Sequence, residues 1–249
     1  MSAPPSPQEQ ELNRLRAELQ AARDALGDFA YVVSHDLRAN LRHITAYAGL
    51  VREELGDAPP AEALTYLDTV TSAARLMGRQ IDGLMAWSML DRVELDSTTL
   101  DVPALIEEAR QALAGEAAGR QIDWQVAAGL PPLRGDAALV RQLFVHLLSN
   151  ALKFTRPRAS AVIHIGWQPP AEDGRCTLFV QDNGVGFNPQ LQNKLFHVFQ
   201  RLHSASEFEG LGLGLALARK IVERHGGSIR AEGQPDAGCC IRFTLPLAA

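Results

Sequence analysis

Apolar side chains recur at alternating spacings of three and four residues over the first part of the chain. The first run comprises Leu12, Leu15, Leu19, Ala22, Leu26, Phe29 and Val33. This is the spacing of a coiled-coil seam. The line then resumes one residue out of phase, at Leu37, Leu41, Ile44, Ala48, Val51 and Leu55. The pattern predicts a long helix that dimerises, with its packing locally rearranged near residue 36.

A breaker segment follows this helix and precedes a second apolar stripe. The breakers are Gly56, Asp57, Pro59 and Pro60. The stripe comprises Leu64, Leu67, Thr71, Ala74, Ile81, Leu84 and Met85. Glycine and proline end helices, and the new stripe again has helical spacing. The sequence therefore predicts a helical hairpin, and two such hairpins packed together would form a dimeric four-helix bundle.

From Thr99 onward the pattern changes to alternating strands and helices. The predicted strands are "IDWQVA", "AVIHIGW", "CTLFVQD", "SIRAEG" and "CCIRFTLPL", and a further short strand leads into the helix of "LDVPALIEEARQALAG". The other predicted helices are "AALVRQLFVHLLSNALKFT" and "LGLALARKIVERHGG". This alternation indicates an α/β sandwich. We expect a disordered start and coiled-coil helix over 1–27, the hairpin over 28–95 and the sandwich over 96–249.

Composition narrows the class of protein. The 249 residues are 46% hydrophobic, and no apolar run approaches the ~20 residues that a membrane span needs. The first residues form no secretory signal, which favours a cytoplasmic location. The formal charge of −5 gives no basic footprint for nucleic acid. The three cysteines, Cys176, Cys239 and Cys240, have neither a disulfide pattern nor a zinc spacing.

Three polar residues line one side of the predicted helix over 137–155. His146, Asn150 and Lys153 follow one another at intervals of four and three residues, opposite an apolar face. An amide oxygen can bind Mg²⁺, and a lysine can meet phosphate as a point charge. An ordinary solvated helix face would show the same pattern.

Two glycine-containing segments are further candidates for a nucleotide site. In "DNGVGF", Asp182 at a strand end can accept a hydrogen bond from an exocyclic amine, while Gly184 and Gly186 permit close approach of the backbone to a flat ring. A plain turn is the alternative. "GLGLGL", with Gly210, Gly212 and Gly214, runs into a helix whose N-terminus would face an anion.

The order of the motifs is more specific than any one of them. "FAYVVSHDL", "NALKFT", "DNGVGF", "LFHVFQRLH" and "GLGLGLALARKIVERHGG" follow one another between Asp28 and the C-terminus. In order and spacing they resemble the motifs of the sensor histidine kinases of two-component systems. Their residues are most similar to those of the phytochrome-type branch. The resemblance implies a dimerisation and phosphoacceptor hairpin followed by a Bergerat-type domain that binds ATP and Mg²⁺.

The resemblance also implies roles for individual residues. His35 would be the phosphoacceptor, Asp36 the acid that assists it, and Asn150 the Mg²⁺ ligand. The nucleotide would be bound by Lys153, Phe154, Asp182, Gly184, Gly186, Arg201, Gly210, Gly212 and Gly214. The implied partners are a second copy of the chain, a response regulator receiver domain and a sensor that is either upstream or separate.

The sequence departs from these relatives at three positions. Asn40 stands where many have proline, which predicts a weaker helix kink. Ala39 stands where relatives with phosphatase activity carry Thr or Asn, so we expect little dephosphorylation by that route. His146 replaces an asparagine of the nucleotide motif and is a second candidate metal ligand. Arg38 and Arg42 share a helix face with His35, and we hypothesise that they attract a phosphoryl group or an acidic partner.

The expected function is ATP-dependent phosphorylation of His35, followed by transfer to an aspartate of a separate response regulator. A catalytically degenerate dimeric scaffold is the alternative, motivated by Asn40 and His146. An ATPase of the chaperone or mismatch-repair type is less compatible with the sequence, because those proteins do not use a phosphoacceptor hairpin.

Overall fold

The computed structural model describes residues 6–56, 58–169, 174–204 and 206–248, which divide into two compact units with the boundary between Val93 and Glu94. The first unit is helical and the second is α/β, so the predicted fold class is confirmed. The first five residues of the expected disordered start, and Asp57 of the hairpin turn, lie outside the described residues. None of the described helices is both long and apolar enough to cross a membrane.

The first unit is a hairpin of two helices, α1 (Pro7–Glu54) and α2 (Ala61–Met89). Helix α1 runs without interruption through Asn40, since asparagine keeps the backbone N–H that proline would remove. Three ion pairs tie the ends and middle of the hairpin together. They are Arg38 with Asp82 at 2.8 Å, Arg92 with Asp28 at 2.9 Å, and Arg52 with Asp68.

The second part of the apolar seam on α1 splits into two lines. Leu41, Ala48 and Leu55, each seven residues apart, are buried or half-buried, and the side chain of Leu41 approaches Gly78 of α2. The other line lies on the exposed surface of the single hairpin, and its members are Leu37 at 44%, Ile44 at 41% and Val51 at 49% exposure. One line therefore packs within the hairpin while the other is left open to solvent.

The described residues of the second unit form a five-stranded sheet, a two-stranded sheet and four helices. Its strands are β1 (Ser97–Leu100), β2 (Ile122–Val126), β3 (Leu133–Asp136), β4 (Ala161–Gln168), β5 (Arg175–Asp182), β6 (Ile229–Gly233) and β7 (Cys239–Pro246). Its helices are α3 (Val102–Ala112), α4 (Ala114–Ala117), α5 (Ala137–Phe154) and α6 (Gly214–Arg224), with a 3₁₀ turn at Pro189–Lys194. The large sheet has the order β2-β4-β5-β7-β6, and only the β2–β4 pair is parallel. Strands β1 and β3 pair antiparallel.

Helix α5 forms the centre of the second core. Its apolar face includes Leu143, Phe144 and Leu148, all fully buried, and Phe144 meets Phe243 of β7 edge to face at 6.0 Å. The helix begins at this point because the side chain of Asp136 accepts a hydrogen bond from the N–H of Leu139 at 3.0 Å. With the apolar face packed against the sheet, the polar line of His146, Asn150 and Lys153 lies on the opposite side of α5.

Candidate functional site

His35 lies on the exposed surface of α1, where 66% of its side chain is accessible. Its Nδ1 is 3.3 Å from Oδ1 of Asp36, although adjacent helical residues usually diverge. A carboxylate can only accept, so the contact favours the tautomer with hydrogen on Nδ1 and a lone pair on Nε2. In this tautomer the unprotonated nitrogen of the exposed ring is Nε2.

The two arginines near His35 have different surroundings. Arg38 donates to Asp82 of α2 at 2.8 Å, so its guanidinium links the two helices. This ion pair partly neutralises the basic face, and the attraction of Arg38 and Arg42 for a phosphoryl group or an acidic partner stays a prediction. Arg42 is exposed. Helical periodicity predicts which face of α1 carries Arg38. It cannot predict the pair with Asp82, because that depends on which residues of α2 pack opposite.

The polar line of α5 converges on the start of α6. A Cβ placed on Gly214 would lie 3.7 Å from Nδ2 of Asn150 and 3.8 Å from Nδ1 of His146. Burial lowers the pKa of His146 to about 4, so its ring is neutral near pH 7. Its Nε2 is buried without a hydrogen-bond partner among the described residues.

Lys153 and Phe154 are the last two residues of α5. The Lys153 Nζ lies 4.5 Å from the centroid of the Phe154 ring and 3.2 Å from the position of a Cβ on Gly210. Burial lowers the pKa of Lys153, and the nearby Glu209 carboxylate opposes that effect. The structure therefore brings the first glycine of "GLGLGL" to the lysine of "NALKFT".

Asp182 ends strand β5 and is 8% exposed. Its Oδ1 accepts a hydrogen bond from the N–H of Gly184 at 2.8 Å. Burial raises the pKa of Asp182 to about 6, while the N–H groups of Gly184 and Cys239 oppose the rise. A Cβ on Gly184 would lie 2.6 Å from the carbonyl oxygen of Phe154, so only glycine fits between Asp182 and the end of α5.

The turn after Asp182 is held by side chains that the sequence analysis did not select. Asn183 accepts from the N–H of Val162 at 2.9 Å. Arg158 donates to the carbonyls of Asn183 at 2.8 Å, and of Gly184 and Asp236 at 2.9 Å each. The sequence offers no signal for these contacts, because each joins segments that are far apart along the chain.

Gly186 and Gly212 have left-handed backbone conformations, with φ values of 64° and 70°. At Gly186 a Cβ would also collide with the carbonyl oxygen of Gln234. At Gly212 it would lie 2.6 Å from the carbonyl oxygen of Gln200. These two positions therefore require glycine, and their role at a nucleotide stays a prediction.

The loop before α6 packs on Phe154. The rings of His203 and Phe208 lie 5.3 Å and 5.1 Å from the Phe154 ring, and His203 Nε2 is 2.9 Å from the carbonyl oxygen of Gly186. Arg201 donates to the carbonyls of Ser204 and Phe208 within its own loop. The predicted phosphate contact Arg201 thus lies in this loop with its guanidinium bonded to the loop backbone.

The loop also carries a carboxylate that the sequence analysis missed. Glu209 binds Arg156 through two contacts, Nη1 to Oε2 at 2.6 Å and Nη2 to Oε1 at 2.5 Å. The hydrogen bond from Arg156 lowers the pKa of Glu209 to about 2. An available signal was the position of Arg156 three residues after Lys153, and of Glu209 directly before the glycine run.

These residues fit a magnesium–nucleotide complex. Asn150 supplies an amide oxygen and His146 a neutral imidazole, and both face the N-terminus of α6. The described residues contain no group of three His, Cys, Asp or Glu side chains that could hold a metal ion by themselves. Mg²⁺ usually takes few protein ligands and completes its shell with phosphates and water, so the donor set is compatible with that ion.

Residues 135–249 match the family described as Histidine kinase-, DNA gyrase B-, and HSP90-like ATPase. This match contains α5, the Asp182 turn, the glycine loop and α6. The second unit is therefore an ATPase-type nucleotide-binding domain of that class. The chain as a whole is similar to histidine kinases and phytochromes, which align with nearly its full length.

Curated relatives confirm this placement. The phytochrome-like protein Cph1 of Synechocystis sp. is 32% identical over 96% of this chain and 32% of its own length. The methanogenesis regulatory histidine kinase FilI of Methanothrix harundinacea is 33% identical over 95% of this chain and 26% of its own length. Cyanobacterial phytochrome A of Nostoc sp. is 33% identical over 96% of this chain and 31% of its own length. The chain thus spans only about a third of the length of these relatives.

Solved structures have the same fold. Full-length ShkA in complex with AMPPNP superposes with a TM-score of 0.64 at 22% identity, over 89% of this chain and 46% of that one. Histidine kinase AdeS of Acinetobacter baumannii superposes with a TM-score of 0.60 at 16% identity, over 86% of this chain and 98% of that one. These likenesses establish the fold of a histidine kinase.

Proposed function

We propose that the protein is an ATP-dependent histidine kinase that phosphorylates its own His35. The observation that carries the proposal is the exposed His35 ring with its Nδ1 3.3 Å from Asp36, in a chain whose second unit belongs to the ATPase family. Asp36 accepts a hydrogen bond from the Nδ1–H of His35. The lone pair on Nε2 attacks the γ-phosphorus, the bond to the bridging oxygen of ADP breaks, and Asp36 takes the Nδ1 proton.

The second unit supplies the nucleotide in this proposal. Asp182 accepts from the exocyclic amine of adenine, Lys153 meets phosphate, and Phe154 lies beside the nucleotide. Asn150, with His146 as the second candidate ligand, would hold Mg²⁺, which would neutralise charge on the triphosphate. The backbone N–H groups at the N-terminus of α6, which begins at Gly214, face the phosphates. The other glycines, Gly184, Gly186, Gly210 and Gly212, shape the pocket and its loop.

The partner in the next step is a response regulator. Its aspartate attacks the phosphoryl group on His35, the N–P bond breaks, and an acyl phosphate forms. A second copy of the chain is the other partner. The open apolar line of Leu37, Ile44 and Val51 supports this, because exposed helical seams of this spacing pack against a partner helix.

Phosphorylation is tested with γ-labelled ATP and Mg²⁺ on the wild type, on His35→Gln and on His43→Gln. His43 is an exposed histidine on the same helix and provides a matched control. We expect acid-labile, alkali-stable label in the wild type and in His43→Gln, and none in His35→Gln. Label that persists in His35→Gln would contradict the assignment.

The degenerate scaffold remains the alternative, and the half-buried His146 is the observation that favours it. An imidazole replaces an amide there, and its Nε2 has no hydrogen-bond partner among the described side chains. Nucleotide binding without any label on the wild type would support the scaffold. If His146→Asn then introduced labelling, the imidazole would be identified as the cause.

A further inference from the structure

Arg156 and Glu209 form a two-bond pair at the edge of the candidate phosphate site. The guanidinium meets the carboxylate at 2.6 Å and 2.5 Å, each nitrogen bonding a different oxygen. This parallel geometry suits a phosphate as well as a carboxylate, because both present two oxygens to the fork of an arginine. Arg156 lies just after α5, and Glu209 directly precedes Gly210.

The pair belongs to a larger group of charges. Lys153 Nζ lies 3.2 Å from where a Cβ of Gly210 would stand. The charges of Glu209, Arg201 and Arg156 all act on Lys153, and Glu116, which accepts from Ser149 at 3.0 Å, acts on it more weakly. Three cations and two carboxylates therefore share this region, and it stays positive overall.

We propose that Glu209 is a built-in competitor for nucleotide phosphate. In the structure its carboxylate binds Arg156, and a bound triphosphate would take the place of that carboxylate, which makes Arg156 a further phosphate contact. The proposal rests on the assignment of the ATP site above and deepens it.

Replacing the Glu209 carboxylate on Arg156 by a phosphate should cost little free energy. The Arg156 and Glu209 side chains are 41% and 67% exposed, and exposed ion pairs contribute little to stability. Glu209 can leave Arg156 by rotation of its own side chain, which leaves the aromatic contact of Phe208 with Phe154 in place.

The test compares Glu209→Gln, Arg156→Gln and the double variant in the full chain. Titration calorimetry measures the affinity for ATP, ADP and adenosine in the presence of Mg²⁺. Glu209→Gln should bind ATP about two- to fivefold more tightly, which is the range expected for one exposed ion pair. ADP should gain less and adenosine nothing. Arg156→Gln should weaken ATP binding by a similar factor and abolish the effect of Glu209→Gln.

Glu223→Gln is the matched control, since Glu223 pairs with Arg219 on α6 at 2.7 Å with similar exposure. It should leave all three affinities unchanged. The proposal is overturned if Glu209→Gln does not tighten ATP binding, if it changes adenosine binding equally, or if Arg156→Gln does not weaken ATP binding. ATP binding by the wild type separately tests the proposed function. Thermal unfolding of each variant verifies that it is folded.

Discussion

The Oδ1 of Asp182 accepts a hydrogen bond from the N–H of Gly184 at 2.8 Å, in a turn where both residues are buried. The bond fixes the carboxyl group at the end of β5, where the proposed function has it accept from the amine of adenine. Burial nevertheless raises its pKa from 3.8 to about 6, so the ionised form is costly in the folded protein. Asp182, the residue proposed to bind adenine, therefore lowers the free energy of unfolding when it is ionised.

Replacing Asp182 with Asn should make this cost measurable. The folded pKa lies above the unfolded one, so the cost is fully present above pH 6 and disappears as the pH falls to about 4. At pH 8 we expect Asp182→Asn to increase the free energy of unfolding by about 1–3 kcal/mol and to abolish ATP binding. Denaturant unfolding at pH 8 and pH 4 tests this, with the exposed Asp123→Asn as control. An equal gain at both pH values would contradict the prediction.

Arg158 should be needed for the shape of the nucleotide pocket. Its guanidinium donates to the carbonyls of Asn183, Gly184 and Asp236, which would lose these donors in Arg158→Ala. We expect a loss of about 1–3 kcal/mol in the free energy of unfolding and weaker binding of adenosine. Arg219→Ala, which removes an exposed arginine of α6, should change neither quantity appreciably. Unaltered adenosine binding in Arg158→Ala would show that the turn holds its shape without this side chain.

His225 and Gly135 should be coupled in stability. His225 donates from Nδ1 to the carbonyl of Ile221 at 2.8 Å and accepts at Nε2 from the N–H of Asp136 at 3.0 Å. A Cβ on Gly135 would lie 2.8 Å from Cδ2 of this ring. Gly135→Ala should therefore cost about 1–3 kcal/mol in the wild type and clearly less in a His225→Ala background. Denaturant unfolding measures the free energy of unfolding of each variant. If the losses of the two single variants add up to that of the double variant, the His225 ring is not what excludes a Cβ at residue 135.

The open apolar line on α1 should control dimerisation. Ile44→Asp places a charge in the middle of that line, and we expect it to weaken self-association about 100-fold. Ala46→Asp adds the same charge on the opposite, exposed side of the helix and should have little effect. Analytical ultracentrifugation over a range of concentrations measures both. If the two variants associate equally well, the line of Ile44 is not the dimer interface.

Much of this molecule follows from local pattern. Helical spacing predicted the two helices of the hairpin, and the segment predicted over 137–155 is the helix Ala137–Phe154. The polar line of His146 and Asn150 also lies together as expected, because both residues belong to one helix with its apolar face against a sheet. Such features depend on neighbours within one or two turns, which a sequence displays directly.

The contacts of Arg38, Arg156 and Arg158 were outside the reach of sequence. Arg38 pairs with Asp82, Arg156 with Glu209, and Arg158 with the Asp182 turn, across separations of 44, 53 and 25 residues or more. Each arginine alone is an ordinary charged residue near the end or on the face of a helix. Only the packing of distant segments determines which carboxylate or carbonyl it meets.

The sequence by itself determined the seam of α1, the order of the motifs and the residue types at the candidate site. Leu41 and Ile44 are equivalent in that seam, three residues apart and both apolar. The tertiary structure decided that Leu41 packs toward α2 while Ile44 stays exposed. It also placed Glu209 on Arg156. The reason is physical: helical period fixes which residues share a face, whereas burial and charge pairing depend on what the rest of the chain brings to that face.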